Sequence, residues 1–119
     1  MVISMVDEVV LIKKGEQKSE TRRPGKLYRL MIKSQKMEAI MTELEPHAES
    51  RWFQHDGEEM HLVLHGKIEY TVGEKSYKLD EGDMLWHPST LKHRAKNTSN
   101  EKVVYITIGS PPTFAWSTL

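Results

Sequence analysis

The sequence predicts an all-β protein, an antiparallel sandwich or barrel, and three observations carry that expectation. Short runs of β-forming residues recur at regular spacing from Tyr28 onward. Gly and Asn turn signals separate them, at Gly66, Gly73-Glu74, Glu81-Gly82-Asp83 and 97–100. One run alternates strictly: Ile68, Tyr70 and Val72 are apolar while Lys67, Glu69 and Thr71 are polar, which fits a strand with one buried face.

Residues 1–26 form a weakly patterned N-terminal arm and residues 27–119 the barrel domain. In the arm, Val6, Val9, Val10, Leu11 and Ile12 offer one short strand. The polar stretch 13–26, with Gly15, Pro24 and Gly25, is expected to be a loop. Strands are then expected at 28–32, 37–44, 60–64, 67–72, 76–79, 84–86 and 103–108. Residues 35–45 also satisfy a helix on propensity, since Met, Glu, Ala and Leu are good helix formers, and Pro46 ends either element. Met31, Met37, Met41, Met60 and Met84 read as adaptable core filler. Pro111 and Pro112 stop the last strand, and the tail beyond is expected to fold back and pack Phe114 and Trp116.

Composition narrows the function classes. The 119 residues suit one domain, with 38% hydrophobic and 29% charged residues. Lys plus Arg and Asp plus Glu both number 17, so no overall basic excess attracts nucleic acid or anionic lipid. Lys13, Lys14, Lys18, Arg22, Arg23 and Lys26 read as a solvated face of the arm. Without cysteine, disulfides, zinc-thiolate sites and thiol nucleophiles are excluded, and any transition metal is held by nitrogen and oxygen. No apolar run is long enough to span a bilayer, and the first six residues meet Asp7 and Glu8 too early for a signal peptide, so a cytoplasmic protein is expected.

All six histidines fall between residues 47 and 93. His55 and Glu59 flank Asp56-Gly57-Glu58, and His93 follows a Gly82-Asp83 turn and Pro88. A His before a Gly turn and an acid after it can point the same way, and a third ligand from a neighbouring strand completes one face of an ion. Two imidazoles and a carboxylate suit Fe(II), Mn, Ni, Co or Zn. Spacing alone leaves a packed, hydrogen-bonded side chain as the alternative at each position.

Residues 55–97 resemble the two motifs of the cupin superfamily. The first motif ends in an acid followed seven residues later by Gly, here Glu59 to Gly66. The second has Gly, Pro, His and Asn at fixed offsets, here Gly82, Pro88, His93 and Asn97. The resemblance implies a double-stranded β-helix, or jelly-roll barrel of the RmlC-like type, with His55, Glu59 and His93 as ligands of a divalent metal. The usual first motif begins His-x-His, and its first position falls on Phe53, so one of the usual ligands is missing; Thr90 replaces a usual Gly. The chain also resembles cupin domains at the C-terminus of bacterial helix-turn-helix regulators, without the helix-turn-helix.

These features predict a metal-dependent enzyme of oxygenase, isomerase or lyase type acting on a small polar molecule. The alternative is a non-catalytic binding or sensing module. His61 shares strand parity with Glu59; it is a candidate base, although a core His bonded to a backbone carbonyl is the preferred reading. Phe53, His61, Tyr70, Trp86 and Tyr105 are expected at the pocket. The run Met-Leu-Trp-His is apolar throughout, so the facing of His87 is open; His47 and His65 read as surface. Asn97 is expected to support the strand carrying His93. A homodimer is expected from the exposed edges of so small a barrel, with a small-molecule ligand and no nucleic-acid or membrane partner.

Overall fold

The computed structural model describes residues 3–4, 8–17 and 19–113. Among them are ten strands and no helix: β1 (Ile3–Ser4), β2 (Ser19–Arg23), β3 (Lys26–Ser34), β4 (Glu38–Leu44), β5 (Glu58–His65), β6 (Ile68–Val72), β7 (Lys75–Leu79), β8 (Met84–Pro88), β9 (His93–Lys96) and β10 (Val103–Ser110). One sheet runs β1-β3-β4-β10-β5-β8, with β2 also on β3, and a smaller sheet runs β7-β6-β9. From β5 the chain passes from one sheet to the other and back, which makes the jelly-roll barrel. All of these strand pairs are antiparallel except β1 with β3.

Strand alternation makes the core. In β6, Ile68, Tyr70 and Val72 are buried and Glu69 and Thr71 are not, as the sequence predicts. They pack with Leu44, Val63, Leu79, Ala95, Val103 and Tyr105 in one buried cluster. Tyr28, Leu30 and Ile40 form a second cluster, with Phe53 packed on it. The polar residues of the candidate site lie on the same inward-facing positions, Glu59, His61 and Val63 being successive inward residues of β5. Asn97 stitches the turn after β9: its buried amide donates to the carbonyls of Leu44, Glu45 and Glu101.

Several expectations change. The supposed loop 13–26 contains β2, whose polar residues Glu20, Arg22 and Arg23 face outward while its backbone pairs with β3. Pro24 and Gly25 form the two-residue turn between them, Gly25 taking φ 73°. Val9 and Leu11 make no strand and are exposed; Val6 lies outside the described residues, as do Phe114 and Trp116. Residues Glu38–Leu44 are strand, not helix, because β3 and β10 pair with both sides of β4 and override propensity. No methionine named as core filler is fully buried, and Met37 and Met84 are exposed. Met41 occupies the opposite parity of β4 from the buried Ile40 and Thr42. No helix among the described residues is long and apolar enough to cross a membrane.

Candidate metal centre

Four imidazoles surround one buried carboxylate. The β5–β8 register sets Glu59 opposite His87, and the β5–β10 register sets His61 opposite Thr107. His93 opens β9, paired with Val72 on one side and bridged to Phe53 on the other. The segment before β5 is strapped to the β8–β9 connection by Phe53 N–H to His93 O, His55 N–H to Ser89 O and Ser89 N–H to Gly57 O. Gly57 turns this segment with φ 101°, and a Cβ there would collide with the Ser110 carbonyl and Pro111. His55 and Glu59 therefore converge from either side of a turn that only glycine fits.

Glu59 Oε2 lies 3.0 Å from His55 Nε2 and accepts a 2.7 Å hydrogen bond from Ser89 Oγ. Glu59 Oε1 lies 3.2, 3.6 and 3.3 Å from Nε2 of His61, His87 and His93. The distal side of each ring is tied down. His93 Nδ1 is 2.7 Å from the Leu91 carbonyl, His87 Nδ1 is 2.9 Å from the Pro88 carbonyl, and His55 Nδ1 is 3.1 Å from the Asp56 carbonyl. Carbonyls only accept, so these Nδ1 atoms carry hydrogens and each ring turns its Nε2 toward Glu59. Metal-ligating histidines are oriented in this way. His93 Nε2 is buried and makes no hydrogen bond. A lone pair facing a carboxylate in the interior is costly unless a cation lies between them. His55, Glu59 and His93 place one ligand atom each within 4.8 Å of the others, as do Glu59, His61 and His87; this cluster could bind a metal.

Electrostatics agree with a ligating form. Burial pushes the Glu59 carboxyl up, but the side chains of His55, His61, His87 and His93 around it outweigh burial and hold the group far below the carboxylate range. Burial lowers His61 to about 4 despite Glu59, so that ring is neutral near pH 7. The hydrogen bond with Glu59 raises His55 above the ordinary imidazole value, against burial. Burial raises Tyr70 and Tyr105 well above the usual phenol range, and both keep their protons.

His61 is fully buried and stacks on Tyr70 with ring centroids 4.0 Å apart. It bonds Thr107 Oγ1 at 2.7 Å, not a backbone carbonyl as the sequence suggested. Phe53, Tyr70 and Tyr105 line a cavity of about 20 Å³ with Glu59, Tyr28 and Thr107. Trp86 does not: its side chain is exposed, and its indole N–H donates to the Glu58 carboxylate. Adjacent strand residues face opposite ways, so the register that turns His87 inward turns Trp86 out. His87 is the residue that sequence reasoning left open, because apolar neighbours on both faces of β8 erase the alternation that would have marked it. His65 is exposed, 3.6 Å from Glu81, and His47 bonds Asn100 at the surface.

The same architecture recurs widely. A KdgF from Halomonas sp. superposes with a TM-score of 0.77 at 18% identity, covering 94% of this chain and all of that one. An RmlC-like cupin from Shewanella frigidimarina gives 0.76 at 17% identity, over 96% of this chain and all of its own. The cupin domain of an XRE-family transcriptional regulator from Enterobacter cloacae gives 0.69 at 17%, over 74% of this chain and 98% of that one. In sequence, an uncharacterized protein of Archaeoglobus fulgidus is 36% identical over 64 residues, or 54% of this chain and 60% of that protein, so the chain spans only about three-fifths of that relative's length. The family model described as a cupin domain matches residues 40–109, which include β5, β8, β9 and the segment before β5 that carries His55, and therefore every imidazole converging on Glu59. The chain belongs to the cupin domain family.

Proposed function

We propose that the protein is a metal-dependent enzyme acting on a small polar molecule, with His55, Glu59 and His93 holding a divalent ion. The observation that carries this reading is the convergence of Nε2 atoms, their Nδ1 sides locked on carbonyls, onto one ionised carboxylate. Bound there, a divalent ion would supply Lewis acidity or activate a water. Fe, Mn, Ni, Co and Zn all fit the donor set. Oxygenase, isomerase and lyase chemistry are each compatible with it.

The residues around the ligands do the rest. Thr107 orients His61 through its 2.7 Å contact. His61 remains neutral near pH 7, and its ring nitrogens face Thr107, His87 and Glu59, so its part is to position the Glu59 carboxylate. Tyr70, Tyr105 and Phe53 wall the cavity and exclude bulk water, while the protonated phenols offer hydrogen bonds to a polar ligand. Conversion of a panel of small hydroxy and keto acids by metal-loaded protein, followed by mass spectrometry, tests the reading. Turnover lost in His93→Ala is expected; tight binders in a thermal-shift screen that are never converted would sink it.

Those tight binders would favour the second reading, a sensing module. It is supported by the likeness to the cupin domain of an XRE-family regulator and by a cavity of only about 20 Å³. Under either reading the protein is proposed to be a cytoplasmic homodimer.

A further inference from the structure

His55 and His93 account for only part of the cluster. His61 and His87 are also buried, and both turn Nε2 toward Glu59 Oε1. The hydrogen count there is short. His87 commits its hydrogen to the Pro88 carbonyl and His93 to the Leu91 carbonyl, so both offer bare Nε2 lone pairs. His61 brings at most one hydrogen on Nε2, whichever way its contact with Thr107 runs. That single hydrogen faces two acceptors, His87 Nε2 at 2.9 Å and Glu59 Oε1 at 3.2 Å. At least one buried acceptor stays unserved, beyond the orphaned His93 Nε2.

We propose that Glu59, His61 and His87 form a second site for a divalent transition-metal ion, with the Glu59 carboxylate shared between it and the ion of His55 and His93. The proposal deepens the metal reading and rests on it for Glu59. Its geometry is that of a coordination face. Two N or O donors, each about 2.0–2.2 Å from an ion and roughly 90–110° apart, lie about 2.8–3.6 Å from each other. The three edges here are 2.9, 3.2 and 3.6 Å. The carboxylate's Oε2 faces His55, and its Oε1 faces His61 and His87 as well as His93 at 3.3 Å, so Oε1 stands between the two ligand sets. Two imidazoles and one carboxylate select Zn, Mn, Fe, Co or Ni over Ca or Mg, which prefer all-oxygen shells. The outer support is present too, since Thr107 and the Pro88 carbonyl hold the distal nitrogens.

Equilibrium dialysis of the purified full chain against Co(II), with bound metal measured by mass spectrometry, tests the proposal. Wild type is expected to saturate at about two equivalents per chain, and His87→Ala and His61→Gln at about one each, with far-UV circular dichroism confirming the fold. Saturation of wild type at one equivalent overturns the second site, even if a variant fails to fold. A folded His87→Ala that still binds two overturns it as well. A single equivalent that disappears in His93→Ala removes only the second site and leaves the first reading standing, whereas no binding by wild type removes both.

Discussion

Ser89 supports the site through both its side chain and its backbone. Its hydroxyl donates to Glu59 Oε2, and its backbone ties the His55 segment to the β8–β9 connection. Ser89→Ala should keep the fold and lower metal affinity by roughly 10–100-fold, read by competition with a chelator. Unchanged affinity would show that Glu59 is oriented by the histidines alone. Asn97 makes the opposite case. Its amide meets three carbonyls and no group of the metal cluster, so Asn97→Ala should cost about 2–3 kcal/mol in urea unfolding, while any metal still bound keeps its affinity. Residue roles of this kind were unevenly legible. His55, Glu59 and His93 stand in motif positions, and the parity of β5 placed His61 inside. His87 and Trp86 were not separable, because their facing depends on a long-range pairing of Met60 with Trp86 and Glu59 with His87 that no local pattern encodes.

At the scale of elements, the outward face of the large sheet carries an ion-pair group at β3, β4 and the approach to β10. Arg29 pairs with Glu43, and Lys102 Nζ lies 3.0 Å from the same carboxylate. Burial pushes the Glu43 carboxyl up, but the hydrogen bonds and charges of Lys102 and Arg29 prevail and hold it below the ordinary value of 4.5. A group whose folded pKa is depressed stabilises the fold above its unfolded pKa, and that contribution fades as pH falls toward the folded pKa. Glu43→Gln should therefore cost about 1 kcal/mol near pH 7, with the gap to wild type closing below about pH 4.5. Denaturant titrations at pH 7 and pH 3.5 check this, and a gap that widens in acid would contradict it. The same region shows why β2 was hidden. A strand with polar outward residues and one backbone neighbour has no hydrophobic alternation to read, and only the Pro24-Gly25 turn marks it.

The whole molecule repeats this division. The barrel was legible because its strands are short, their turns are marked by glycine, and β6 alternates cleanly. Less legible was the number of histidines the barrel gathers on one carboxylate, because jelly-roll crossing brings β5, β8, β9 and the segment before β5 together from distant sequence. Exposed Met84, Trp86, Tyr77 and Leu91 lie around the edge strands β7 and β8, and the proposed dimer predicts a sedimentation mass of about twice the chain's 13.8 kDa. A monomer at micromolar concentration would exclude it.

The proposed metal centre joins all three scales, and metal content measures it most directly. Protein refolded with Fe(II), Mn, Ni or Zn and then stripped of loose ions should retain at least about one equivalent per chain, and the His55→Ala/His93→Ala double variant should lose at least one. Wild-type retention below about a tenth of an equivalent with every one of these ions, or a folded double variant that loads as fully as wild type, would contradict the account.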